Sequence, residues 1–184
     1  MVVIKKYRKE RKMKKISTLV RDFLEETGRD FEQTDDKEHF KICFGGDNGS
    51  YSILVTIDDK DRLLIPRTMC PINVPKAKLP AVAELIARKN CSLSLGNFDI
   101  DMDDGLIFFR TGMKVGQIDL DHETLYVLVR GNPFIMDDFL PAIASVAYGN
   151  ATAEEAITAL EGSKRERHET RQGSSTRRRR STNN

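Results

Sequence analysis

The chain is 184 residues long and carries 30 basic and 28 acidic side chains, so its formal charge of +2 looks balanced. The balance hides a division: residues 1–15 hold eight basic residues against one acidic, residues 164–184 hold eight against two, and the body between them holds 14 against 25, a net of −11. A body of this length buries about 70% of its unfolded surface and needs no disulfide or metal to keep a core. No apolar run in it approaches the roughly 20 residues that span a bilayer.

In chain order, the basic segment 1–15 comes first, and its last turns are expected to extend the following helix backward. Ile16, Leu19, Val20, Phe23 and Leu24 recur at helical spacing, which predicts a helix to about Thr27 with Gly28 as the stop. Phe40, Ile42 and Phe44 then alternate with polar positions, as do Tyr51, Ile53, Val55 and Ile57, and Leu63–Ile65 follows a short polar turn. Such short links reverse a strand, so the segment reads as an antiparallel meander. Pro66, Pro71 and Pro75 cannot donate to a sheet ladder, and 66–78 is therefore expected to be an edge strand leading into a loop. Pro80 suits the first turn of a helix whose inner face is Val82, Leu85, Ile86 and Lys89 and which ends near Asn90.

A second hairpin follows. Phe98, Ile100 and Met102 alternate with Asp99, Asp101 and Asp103, Asp104 and Gly105 form a favoured turn pair, and Leu106–Phe109 returns as the partner strand. Leu125, Leu128 and Val129 mark a helix from Asp121 onward, with an interruption or kink expected at Gly131, Asn132 and Pro133 before the pattern resumes to Ile143. Thr152 three residues before Glu155 is a capping box that opens a last short helix to about Leu160. Residues 163–184 contain no Val, Ile, Leu, Phe, Tyr or Met, so they are expected to be disordered.

Chemistry finds little foothold in this pattern. The aspartates from Asp99 to Asp104 fail the calcium-loop spacing, because the glycine falls at the seventh position and Arg110 at the twelfth. They read instead as the wet face of a hairpin strand. His39, His122 and His168 have no partner at ligand spacing, and no GxSxG, HExxH or Walker A motif occurs. Cys43, Cys70 and Cys91 form no CxxC pair; Cys43 and Cys91 neighbour apolar residues and Cys70 precedes Pro71 with no nearby histidine, which reads as buried or inert, reduced thiols in the cytoplasm. The expectation is a protein that is not an enzyme and has no cofactor or metal. The remaining candidates are anion contacts at the ends: Lys5, Lys6, Arg8, Lys9, Arg11, Lys12, Lys14 and Lys15, with Arg177, Arg178, Arg179 and Arg180. Contacts of that kind to nucleic acid are independent of sequence and weaken with salt.

The succession of elements has a likeness. Leu79–Asn90 (LPAVAELIARKN), then Leu95–Asp101, then Asp104–Thr111 (DGLIFFRT), and the later run from Leu120 through Pro141 and Gly149 to Thr152–Ala156 resemble the YbjN family over about 16–160. That family of bacterial sensory transduction regulators has a fold similar to type III secretion chaperones, which are small, acidic, usually homodimeric and bind partner segments along exposed apolar surface. The resemblance implies an α+β domain over 16–162, with an antiparallel sheet of about five strands, helices packed on one face and the order α-β-β-β-α-β-β-α-α. It implies a non-catalytic protein-interaction module, a regulator or chaperone-like binder, that forms a homodimer and takes an unidentified protein partner. Nucleic acid held by the basic ends is the alternative.

Overall fold

The computed structural model describes residues 13–35, 38–116 and 120–163. Helix α1 spans Ile16–Glu26 and buries Ile16, Val20, Phe23 and Leu24. It does not extend backward: Lys15 is its extended N-cap, and the carboxylate of Asp59 supplies the cap from the turn after the second long strand. Asp59 Oδ1 accepts from the backbone N–H groups of Ile16 (2.7 Å) and Ser17 (3.3 Å), and its Oδ2 accepts from the Ser17 hydroxyl at 2.5 Å. Those captured N–H groups fix where the helix starts.

The strands are β1 (Phe31–Gln33), β2 (His39–Gly45), β3 (Ser50–Asp58), β4 (Leu63–Met69), β5 (Asn97–Ile100), β6 (Ile107–Arg110) and β7 (Met113–Lys114). They form one antiparallel sheet in the order β1-β2-β3-β4-β6-β5, with β7 beside β4. This is seven strands where about five were expected. The additions, β1 and β7, are three and two residues long, too short to show any periodicity in sequence. Inward side chains alternate strictly: Phe40, Ile42 and Phe44 on β2, Tyr51, Ile53, Val55 and Ile57 on β3, Leu64, Pro66 and Thr68 on β4, and Ile107 and Phe109 on β6 are all buried. One face of the sheet therefore carries the helices, as expected, and the core lies between them.

Strand β4 corrects the reading of Pro66 as a breaker at an edge. It runs through Pro66 to Met69 and is flanked by β3 on one side and by β6 and β7 on the other. The Pro66 carbonyl accepts from Thr111 N–H at 3.1 Å. The N and C=O of one strand residue point to the same side, so the missing N–H falls in the gap between β6 and β7, where no ladder bond is required.

Helix α2 (Leu79–Asn90) has Pro80 in its first turn and buries Val82, Leu85 and Ile86, as the spacing predicted. Beyond it the hairpin differs from expectation. Strand β5 ends at Ile100, because the Asp101 carboxylate turns inward on its own loop to accept from the N–H groups of Asp103 (2.8 Å) and Asp104 (3.2 Å). Asp101 and Asp103 thus belong to a turn and not to a strand face.

The chain from 122 to 147 is continuously helical: α3 (His122–Leu125), a π turn (Tyr126–Arg130) and α4 (Gly131–Ala147). No break occurs at Gly131, Asn132 and Pro133. Pro133 removes one donor, and the helix answers by widening, with Gly131 N–H donating to Tyr126 O, five residues back. Asp121 caps α3 by accepting from Thr124 N–H at 2.8 Å. The capping box forms as read, Glu155 N–H donating to Thr152 Oγ1 and Thr152 N–H to Glu155 Oε2, and opens a helix over 153–163.

Candidate functional site

The helices cover one side of the sheet, and among the described residues the other side carries no helix. Its side chains are the alternates of the core set. Pairing register places Glu32, Lys41, Leu54, Arg67, Arg110 and Asn97 in one row across five strand boundaries. The next row carries Met69 opposite Phe108 and Phe108 opposite Asp99. Leu54 and Met69 are 40% and 42% exposed, a large apolar exposure for a face without a helix. Ile65 and Phe108 are half-buried beside them.

The centre of this face is electrostatically unbalanced. Arg67 and Arg110 stand directly opposite each other, an arrangement that costs stability between like charges. Arg110 is drawn toward β5, where its Nε donates to Asp99 Oδ2 at 2.9 Å, and Asp99 is held in turn by the Asn97 amide at 2.6 Å. Arg67 has no such partner: among the described residues no carboxylate or carbonyl accepts from its guanidinium. Beside Arg110, a shallow depression of about 440 Å³ opens between Leu63, Ile65, Asn97, Met113 and Lys114.

The sites expected from the sequence fall elsewhere. Lys5, Lys6, Arg8, Lys9, Arg11, Lys12 and Arg177, Arg178, Arg179 and Arg180 lie outside the described residues. Of the two that remain, Lys14 pairs with Asp22 at 3.5 Å, and Lys15 is exposed at the start of α1. Cys43 and Cys91 are exposed and not buried, because Cys43 takes an outward position of β2 and Cys91 follows the end of α2. Cys70 is buried, and that burial pushes its thiol up to about 11. Among the described residues no three His, Cys, Asp or Glu side chains gather as a metal set.

The uncovered face was missed because its residues are scattered in sequence and acquire a common surface only through strand register. A signal was present in β4, where Leu63, Ile65, Arg67 and Met69 alternate with Leu64, Pro66 and Thr68. Reading Pro66 as a breaker concealed it.

Fold and surface together define an α+β domain built on a one-sided antiparallel sheet, with no helix among the described residues long and apolar enough to cross a membrane. Residues 17–144 match the model of the YbjN family, described as "Putative bacterial sensory transduction regulator". The chain belongs to that family. It is also similar to the crystal structure of "YbjN, a putative transcription regulator from E. coli", at 20% identity over 70% of this chain and 91% of that one, with a TM-score of 0.49. No curated protein matches the chain.

Proposed function

We propose that this chain is a non-catalytic interaction module of the regulator kind, and that its contact surface is the uncovered sheet face. The observation that supports this reading is the Arg67 guanidinium, unpartnered among the described residues and set among Leu54, Ile65, Met69 and Phe108. An exposed apolar patch around a free cation suits a protein segment that lays apolar side chains on the sheet and brings a carboxylate to Arg67. A homodimer and a cytoplasmic location belong to the same proposal, carried by the family resemblance and the three free cysteines. The nucleic-acid reading of the ends has no observation in its favour.

Cross-linking in cells followed by mass spectrometry tests it, comparing the full chain with L54E/R67E and with E84K on the outer side of α2. The expected result is one partner that crosslinks to the parent and to E84K and is lost from L54E/R67E. Light scattering on the purified parent is expected to give twice the chain mass of 20.9 kDa. A partner retained by L54E/R67E removes the sheet face from the proposal.

A further inference from the structure

Strand β4 gives the uncovered face a direction. Its outward side chains are Leu63, Ile65, Arg67 and Met69, about 6.7 Å apart along the strand. Lys114 stands opposite Leu63 near one end of this line, and Arg110 stands opposite Arg67 two outward positions further on. Between those two levels Ile65 has no ladder partner on that side, because β7 pairs only as far as Leu64 and β6 begins at Arg67. The depression of about 440 Å³ opens at this gap, lined by Leu63, Ile65, Arg110 and Lys114.

The charges follow the same line. In a body of net charge −11, cations stand at both ends of the depression, and the two carboxylates on this part of the face are engaged. Asp99 holds Arg110. Asp58, opposite Leu63 on β3, accepts from the N–H groups of Lys60 (2.9 Å) and Asp61 (2.8 Å) in its own turn. Arg67 and Lys114 are left without an ion pair among the described residues. Strand addition is closed at the β5 edge: Asn90 Oδ1 accepts from Phe98 N–H at 2.8 Å, and Asn90 Nδ2 donates to Phe98 O at 3.0 Å. A two-fold contact between copies centred here would set Arg67 and Arg110 against themselves, cation on cation. An extended segment lying on the face would find the sheet's N–H and C=O groups turned sideways into their ladders, and its own left unpaired. A helix satisfies its own backbone and is the element that ordinarily covers a sheet.

We propose, resting on the reading of this face as the contact surface, that its occupant is an acidic amphipathic helix of a partner protein laid along β4. Its apolar side chains cover Ile65 and enter the depression. Its carboxylates reach Arg67 at one end and Lys114 at the other. Four residues of strand cover about 13 Å and a helix rises about 1.5 Å per residue, so these acids lie about eight residues apart on one face of the helix.

The photo-crosslinking residue p-benzoylphenylalanine, placed in the full chain at Leu63 in one sample and at Met69 in another, reports both the occupant and its conformation. The two positions are about 20 Å apart, which a helix covers in about 13 residues and an extended chain in about six. After crosslinking in cells and digestion, mass spectrometry is expected to find one partner segment joined at both positions, through residues about 13 apart. Between them the segment is expected to carry two acidic residues about eight apart and apolar residues at every third or fourth place. K114E, which leaves Leu54 and Arg67 in place, is expected to lower the crosslink yield at Met69 roughly fivefold or more. K114Q carries the same test should K114E not fold. Joined residues about six apart would mark an extended segment and overturn the helix while leaving the face as the contact surface. A segment without acidic residues, an unchanged yield in K114E, or a second copy of this chain joined at both positions would overturn it in the same way. No partner at either position would overturn the helix together with the reading it rests on.

Discussion

The Asp137 carboxylate on α4 accepts a hydrogen bond from the Tyr51 hydroxyl on β3 at 2.7 Å, inside the core. The same carboxylate accepts from the backbone N–H groups of Asp47 (3.0 Å) and Asn48 (2.9 Å), and so fastens the β2–β3 turn to the helix layer. Asp137 is 6% and Tyr51 3% exposed, so the phenol has no water to fall back on, whereas Asp47 and Asn48 lie in an exposed turn. Replacing Asp137 with Ala strands a buried phenol and unfastens the turn from α4. D137A is expected to lose about 3 kcal/mol of stability, read by urea unfolding, and about 10 °C in melting temperature. A loss under about 1 kcal/mol would mean that the turn finds other acceptors.

The same pair sets a pH dependence at both ends. Burial works to raise the Asp137 pKa, but the hydrogen bonds from Tyr51, Asn48 and Asp47 outweigh it and hold the carboxyl below its ordinary value. A depressed folded-state pKa contributes stability that is complete above about pH 4 and is lost as pH falls through the folded value. Burial, then the bond to Asp137, pushes the Tyr51 phenol above its ordinary value of 10. That contribution is complete below about pH 10 and is lost as pH rises through the folded value. Urea unfolding at pH 3, 7 and 10.5 is expected to give D137N a shallower acid limb than the parent and Y51F a shallower alkaline one. Asp121 and Glu155, lowered by their cap bonds to Thr124 and Thr152, keep an acid limb in D137N. Limbs parallel to the parent's in both variants would show that the pair does not carry the dependence.

Asn132 does for β4 what Asp137 does for the turn. Its Oδ1 accepts from the Thr68 hydroxyl at 2.6 Å, and its amide donates to Pro66 O (3.2 Å) and Thr111 Oγ1 (3.0 Å). Thr111 passes its own proton to Leu128 O at 2.8 Å, within the helical layer. Every member of this buried network has a partner, which is the condition under which such a network specifies one packing. N132L is expected to cost about 2–4 kcal/mol, because it leaves the Thr68 hydroxyl without its acceptor and Thr111 Oγ1 without its donor. Thr68→Val in the N132L background is expected to recover part of that loss, since it removes a stranded hydroxyl. Strictly additive losses in the two-variant cycle would argue against coupling.

These elements separate what sequence reveals from what it hides. The alternation on β2 and β3 and the stripe on α1 were legible because each is a local period answering to one buried face. Pro66 was not: its tolerance depends on a gap between β6 and β7, which lies more than forty residues away along the chain. The continuous helix through Pro133 was hidden for a related reason, since a π turn has no residue signature and the breaker residues suggested an interruption or kink. Arg67 and Arg110 each look like ordinary strand polar residues, and only register makes them neighbours. The basic ends stood out as charge alone, and the surface that organises charge with apolar contact lay in the acidic body.

The loop between β5 and β6 offers a test of close approach against backbone conformation. Gly105 has φ +71°, its carbonyl accepts from Val74 N–H at 2.9 Å, and a Cβ built on it would lie 2.3 Å from the Val74 carbonyl oxygen. Gly28, at φ +62° after α1, has nothing within 4 Å of such a Cβ. Both positions charge an alanine about 1 kcal/mol for its left-handed conformation. Only Gly105 adds a clash with backbone, which must move the β5–β6 loop off the 70–75 segment. G28A is expected to lose about 1 kcal/mol in urea unfolding and G105A at least twice that. Faster amide exchange at Val74 is expected in G105A alone, because the Val74–Gly105 bond opens with the loop. Equal losses, with Val74 equally protected in both variants, would show that the loop yields without cost and that backbone conformation alone selects glycine there.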